Sequence, residues 1–173
     1  MARALIIGCG CRGRELGQLL LDAGWAVRGT SRREEGLAAI EAAGIEPALA
    51  DPDRVGTVLE LVGDVAVVFH LLGSAAGEPE ALAEIHGPRL ERLLEKVVDT
   101  PVRGFVYEAV GSVDAAVLAG GAELVEIASR TWRIPAETVS SDPGDPGRWS
   151  QEMRDLALSL LSPGPRSQIA KLG

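Results

Sequence analysis

The sequence predicts an α/β fold: a doubly wound parallel sheet of about six strands, with helices on both faces, in a single domain. Three observations carry this. Strand-type and helix-type patterns alternate along the chain, the best-defined strand is apolar on both faces, and a glycine-rich turn joins the first strand to the first helix.

The first strand pattern spans residues 3–9, where Leu5, Ile6 and Ile7 run straight into Gly8-Cys9-Gly10-Cys11-Arg12-Gly13. This is G-x-G-x-x-G. In a βαβ unit the first glycine allows the tight turn, the second lets backbone approach a pyrophosphate, and the third lets helix and strand pack closely. A chain with 21 glycines produces accidental matches, so context matters. Leu16, Leu19, Leu20 and Ala23 fall at helical spacing, while Arg14, Glu15, Gln18 and Asp22 take the other face. The pattern therefore predicts a helix over 13–23, closed by Gly24, and a dinucleotide at its N-terminus.

Further strands are expected at 25–30, 45–50, 65–72, 102–108 and 134–140, and helices near 33–43, 53–62, 79–99 and 113–131. Residues 65–72, almost continuously apolar, read as a central strand buried on both faces. Pro88 after Gly87 is expected to kink or restart the fourth helix, and Gly120-Gly121 to break the fifth. Asp145 as cap, Pro146 in the first turn and an apolar stripe through Trp149, Met153, Leu156, Leu160 and Leu161 predict a last helix. The dinucleotide-binding domain is expected over 1–162, with 163–173 as a flexible tail.

A chain of 173 residues, 46% hydrophobic, makes one domain with a substantial core and leaves little room for a separate substrate domain. Its net charge of −8 argues against nucleic acid and anionic membrane as partners. The first 33 residues run the other way: Arg3, Arg12, Arg14, Arg28, Arg32 and Arg33 stand against Glu15 and Asp22, a basic edge suited to a small polyanion. No apolar run approaches the roughly 20 residues of a membrane span, and Gly8 cuts the first one too early for a signal-peptide core. The expected compartment is the cytoplasm. Two cysteines, Cys9 and Cys11, make no disulfide framework and supply too few ligands for zinc; small packed fillers are the expected role, and no metal is expected.

Several segments together resemble the extended or atypical short-chain dehydrogenase/reductase superfamily, in particular its NAD-dependent epimerase/dehydratase group, cut down to the Rossmann core. They are the opening glycine loop, Ala50-Asp51-Pro52, Val68-Phe69-His70-Leu71 and Phe105-Val106-Tyr107, in that order over residues 3–140. The resemblance implies that Asp51, with Pro52, lies beside an adenine, and that Leu72, Gly73 and Ser74 lie by the nicotinamide half of a cofactor. As plain local structure, Asp51-Pro52 also reads as a helix cap followed by a first-turn proline.

The family's catalytic pair is Tyr-x-x-x-Lys, in which the lysine lowers the tyrosine pKa for proton exchange with substrate. Here the one tyrosine, Tyr107, is followed four residues later by Gly111, and the lysines are Lys96 and Lys171. The fourth-helix asparagine has no counterpart either, since the chain contains none and His86 falls in that region. Family-type catalysis is therefore not expected, and no catalytic residue is assigned.

A dinucleotide site selective for NAD ends its second strand in an acid that holds the ribose hydroxyls; small residues and arginine replace it where a 2′-phosphate is bound. Thr30-Ser31-Arg32-Arg33 has no acid before Glu34, so NADP is expected in preference to NAD. Arg12 is a candidate for the pyrophosphate and Cys11 a neighbour within the same loop. His70 reads as a core histidine, His86 as a helix residue that can lie at the surface, and Glu108 as either a ligand-facing or a solvated acid at a strand end. Three functions stay open: an oxidoreductase serving an acceptor that needs no tyrosine, such as a flavin; a module that senses NADP(H) and signals to a partner or a second copy of itself; and a core that has lost its ligand.

Overall fold

The computed structural model describes residues 1–141 and 144–161. Six parallel strands, β1 (Arg3–Ile7), β2 (Ala26–Ser31), β3 (Glu46–Leu49), β4 (Val67–His70), β5 (Gly104–Glu108) and β6 (Ala136–Val139), form one sheet in the order β3-β2-β1-β4-β5-β6. The winding reverses between β1 and β4. In open sheets of this kind that reversal opens a crevice beyond the carboxyl ends of the strands.

Side-chain alternation splits the core into two layers. Leu5, Ile7, Val68, Phe105 and Tyr107 face α3 (Val55–Leu59), α4 (Pro79–His86), α5 (Pro88–Val97) and α6 (Ala115–Trp132). Ala4, Ile6, Val67, Phe69 and Val106 face α1 (Cys11–Asp22), α2 (Leu37–Ala42) and α7 (Pro146–Leu161), which contributes Trp149 and Met153. The doubly wound parallel sheet predicted from sequence is thus the observed architecture.

Helix boundaries depart from the sequence reading where local chemistry intervenes. The stretch 33–43 opens with a 3₁₀ turn, Glu34–Gly36, before α2, and 53–62 holds only the short α3. The stretch 79–99 is two helices that part at Gly87 and restart at Pro88. The break expected at Gly120-Gly121 does not occur: α6 runs unbroken for 18 residues. Asp114 caps it, its Oδ1 accepting from the N–H groups of Ala116 (2.9 Å) and Val117 (3.3 Å). Gly121 lies against the Tyr107 hydroxyl, where a Cβ would collide, whereas nothing crowds Gly120. Close packing of α6 on β5 therefore requires glycine at position 121, and the helix tolerates both.

Asp145 accepts from the Arg148 N–H at 3.3 Å, the cap expected for α7. The tail expected at 163–173 lies outside the described residues. The basic edge read from the first 33 residues is not one patch. Arg3 and Arg28 are committed to Glu46 and Asp64 at the amino ends of the strands, with contacts of 2.5 to 3.2 Å, far from the glycine turn.

Two glycines separated by one bond thus have opposite roles. Gly121→Ala should destabilise the fold by about 1–3 kcal/mol through overpacking against Tyr107. Gly120→Ala should stabilise it by roughly 0.5–1 kcal/mol through backbone entropy and helix propensity. Chemical denaturation of the two variants reads both signs.

Candidate functional site

The three glycines of the loop have three distinct surroundings. Gly8 turns with φ +78°, and a Cβ there would stand 2.6 Å from the Leu71 carbonyl oxygen, so only glycine fits. The turn is tied to β2: the Gly8 N–H donates to Thr30 Oγ1 (3.3 Å) and the Cys9 N–H to the Thr30 carbonyl (3.0 Å). Gly13 packs α1 on β1, with the Gly8 carbonyl and Ile6 each 3.3 Å from where a Cβ would be. At Gly10 a Cβ would meet nothing within 4 Å. That residue precedes α1 without a side-chain cap, and no acidic side chain occupies the first turn. The first N–H groups of α1 are therefore directed at open space with the positive end of the helix dipole behind them.

That space is a cleft of about 680 Å³ along the carboxyl ends of the strands. Of the residues singled out from sequence, Gly8, Gly10, Cys11, Arg12, Gly13, Thr30, Ser31, Arg32, Pro52 and Leu72 all line it. Asp51 and Gly73 do not. The Asp51 carboxylate caps its own turn, Oδ1 accepting from the Asp53 N–H at 3.0 Å. Gly73 is buried beneath the floor, where its N–H donates to Glu108 Oε1 (3.0 Å). Ser31 is occupied locally, its hydroxyl donating to the Arg33 carbonyl and accepting from the Arg33 N–H. Arg32 and Arg33 line the cleft, exposed, and make no ion pair among the described residues. Glu34 and Glu35 occupy the first turn that follows, so the helix dipole does not by itself disfavour these arginines.

The cysteines divide. Cys9 is packed against Gly29, and burial pushes its thiol up to about 12, an inert filler. Cys11 is exposed in the cleft mouth and is not the packed filler expected from sequence.

Consecutive residues of β5 point through opposite faces of the sheet and carry two separate polar clusters. On the side of α1 and α7, Glu108 is 1% exposed. Its carboxyl is held above the ordinary range by burial, opposed by the Arg12 guanidinium and the Gly73 N–H. Arg12 Nη1 stands 3.8 Å from Glu108 Oε2, and the guanidinium rests on the Trp149 ring, 5.4 Å from its centre. The Trp149 indole N–H approaches the same carboxyl without reaching hydrogen-bond geometry. Glu108 is thus buried rather than solvated. Trp149 was legible only as part of an apolar stripe, and no sequence signal placed it at the cleft.

On the other side, His86 bridges two elements. Its Nε2 lies 3.0 Å from the Leu72 carbonyl, which only accepts, so Nε2 carries the proton; the Tyr107 hydroxyl then donates to Nδ1 at 2.7 Å. His86 is 1% exposed, not the surface residue its helix position allowed. His70 is beside it, ring centres 5.6 Å apart, with Nδ1 lacking a partner among the described residues. Burial pushes the His70 pKa down to about 3 and lowers that of His86. The Tyr107 phenol is raised by burial and by the Glu108 charge. It faces away from the cleft, bonded to His86, and presents nothing to a bound ligand.

No protein-family model matches the chain, and no curated protein does. Solved structures match it in fold. A UDP-glucuronic acid 4-epimerase from Bacillus cereus, in complex with NAD, is 17% identical with a TM-score of 0.63, over 79% of this chain and 54% of that one. A short-chain dehydrogenase from Streptomyces avermitilis is 19% identical with a TM-score of 0.64, over 93% and 84%. A short-chain dehydrogenase/reductase superfamily protein from Agrobacterium tumefaciens with bound NAD is 21% identical with a TM-score of 0.61, over 79% and 47%. The chain spans about half the length of the epimerases it matches. At these identities the likeness establishes the fold they share: a Rossmann α/β sheet of the kind found in epimerases and short-chain dehydrogenases.

Two buried neutral histidines make stability pH-dependent. Their unfolded-state pKa is near 6.5, so below it the unfolded chain binds protons that the folded chain refuses, and stability is lost as pH falls. Glu108, raised in the fold, works in the opposite sense. His70→Leu should therefore flatten the stability profile between pH 6 and 5 by about 1.4 kcal/mol per pH unit. Urea denaturation of wild type and variant across that range measures the difference in slope.

Proposed function

We propose that this protein binds a nicotinamide dinucleotide in the cleft, NADP(H) in preference to NAD(H). The observation that carries the reading is the uncapped N-terminus of α1, facing open space at Gly10. Such a terminus supplies N–H donors and positive potential for a diphosphate without any side chain. The sheet order then sets the two halves: one nucleoside toward β2 and β3, by Arg32, Ala50 and Pro52, and the other toward β4 and β5, by Leu72 and Ser74.

Preference for the 2′-phosphate rests on chain chemistry at the end of β2. Among the described residues, two guanidinium groups without an ion pair line the cleft there, and no carboxylate stands where it would hold ribose hydroxyls. NAD in the Bacillus and Agrobacterium structures agrees with the dinucleotide class but favours NAD, so the NADP preference rests on this chain's arginines alone.

A bound nicotinamide supplies hydride transfer. The residues here position it but offer no phenol, because Tyr107 is turned to His86. The acceptor in this reading is therefore a ring that needs no protonating tyrosine, such as a flavin. The same withdrawn phenol favours a second reading, a module that binds the dinucleotide without turning it over.

Calorimetric titration with NADPH and NADH tests the binding. Gly10→Val should lower the melting temperature only slightly, since a Cβ there meets no protein atom within 4 Å, yet weaken NADPH by roughly tenfold or more by occupying the diphosphate position. Arg32→Glu should lower the NADPH-to-NADH preference by about tenfold or more through loss of a charge-assisted contact. An unchanged ratio contradicts the 2′-phosphate assignment. Oxidation of NADPH with free flavin, followed at 340 nm, should exceed the background rate for the oxidoreductase; a rate equal to background supports the binding module.

A further inference from the structure

Glu108 and Arg12 make an unfinished pair. Glu108 Oε1 accepts from the Gly73 N–H at 3.0 Å, but Oε2 has no hydrogen-bond partner among the described residues. Nor has Arg12 Nη1, the nearest opposite charge, 3.8 Å away. Two buried ionic atoms this close and still unbonded make a contact that a better partner readily replaces. The other hold on the guanidinium is the face of Trp149. Arg12 is also the second residue of α1, so an anion at that N-terminus comes within reach of its side chain and offers charge-assisted, bidentate bonds.

Resting on the dinucleotide reading above, we propose that Glu108 is the ligand-binding carboxyl of the inner half of the cleft. Arg12 covers it as seen here and uncovers it on turning to the diphosphate at α1. Oε2 then accepts a hydrogen bond from a hydroxyl or amide N–H of the nicotinamide half. The position suits the task, because β5 lies beyond β4 from the glycine loop, and the diphosphate placed at that loop directs the second nucleoside this way. The carboxyl is also fixed: Gly73 tolerates no Cβ, which would stand 2.8 Å from Oε1, so backbone and carboxylate stay in contact.

Departure of Arg12 removes the one cation beside Glu108 among the described residues. The other groups around it are the Gly73 N–H from the β4–α4 connection, the uncharged Trp149 from α7, and Tyr107, whose ring lies on the opposite face of the sheet. The hydrogen-bond donor of the ligand then replaces the guanidinium as partner of the ionised carboxyl.

Two measurements test this on the whole chain. In the first, wild type and Glu108→Gln are titrated with NADPH and with adenosine 2′,5′-bisphosphate, which lacks the nicotinamide half. Glutamine keeps an acceptor for the Gly73 N–H and loses the second one. The variant should bind the bisphosphate as wild type does and NADPH about tenfold more weakly. Equal losses for both ligands, or none for either, overturn the proposal. In the second, wild type and Arg12→Gln are titrated with the same two ligands. Turned to the phosphate, Arg12 contributes to both, so the variant should bind each about tenfold more weakly, and affinities equal to those of wild type overturn the exchange. Binding of the bisphosphate without the predicted NADPH difference defeats this inference alone; no binding of either ligand to wild type defeats the dinucleotide reading and this inference with it.

Discussion

Gly8 turns beneath the Leu71 carbonyl while the N–H groups of Gly8 and Cys9 hold to Thr30, so the end of β1 is clamped between the ends of β2 and β4. This contact fixes where α1 begins. A side chain at Gly8 would push the turn off Leu71, and a left-handed φ is costly for any residue but glycine. With the turn held, Gly13 seats the helix on Ile6, and the helix start is aimed along the crevice rather than into the neighbouring connection. The direction of those N–H groups is thus set by close backbone packing together with the Thr30 hydroxyl and the Ile6 side chain.

The alternation of a β-strand then sorts the chemistry. Tyr107 and Glu108 are adjacent in sequence and are carried to opposite faces of one sheet. The phenol is drawn into a dry layer with two histidines, where its proton goes to His86 and His86 in turn holds the Leu72 carbonyl. The carboxyl is left at the cleft with an arginine and a tryptophan for neighbours. Leu72 links the two sides: its carbonyl is fixed from behind by His86 while the residue lines the cleft in front. The buried polar layer is in this way a brace for the floor of the site.

The sheet was legible because its signals are local and repeat: apolar runs such as Val67–Phe69, glycine turns and helix caps occur in order along the chain. The glycine loop was legible for the same reason. Contacts between distant segments were not. That Trp149 shelters Arg12, that His86 is buried, or that Gly121 must make room for a hydroxyl depends on how far two helices approach the sheet, and spacing along one helix does not encode that distance. The charge run in the first 33 residues misled in the same manner, since Arg3 and Arg28 find Glu46 and Asp64 at the opposite end of the strands. Asp51 shows the converse, a residue whose nearest backbone already satisfies it.

The two margins of the sheet are not alike. β3 is an outer strand, and Pro47 deprives it of an amide while Glu46 is bound to Arg3 and Arg28. A margin so built resists being extended by another chain. β6 carries no proline, and its Glu137 and Thr138 are exposed. Among the described residues, extension of the sheet by an added strand is therefore disfavoured at β3 and less obstructed at β6, which gives the two margins unequal capacity to pair.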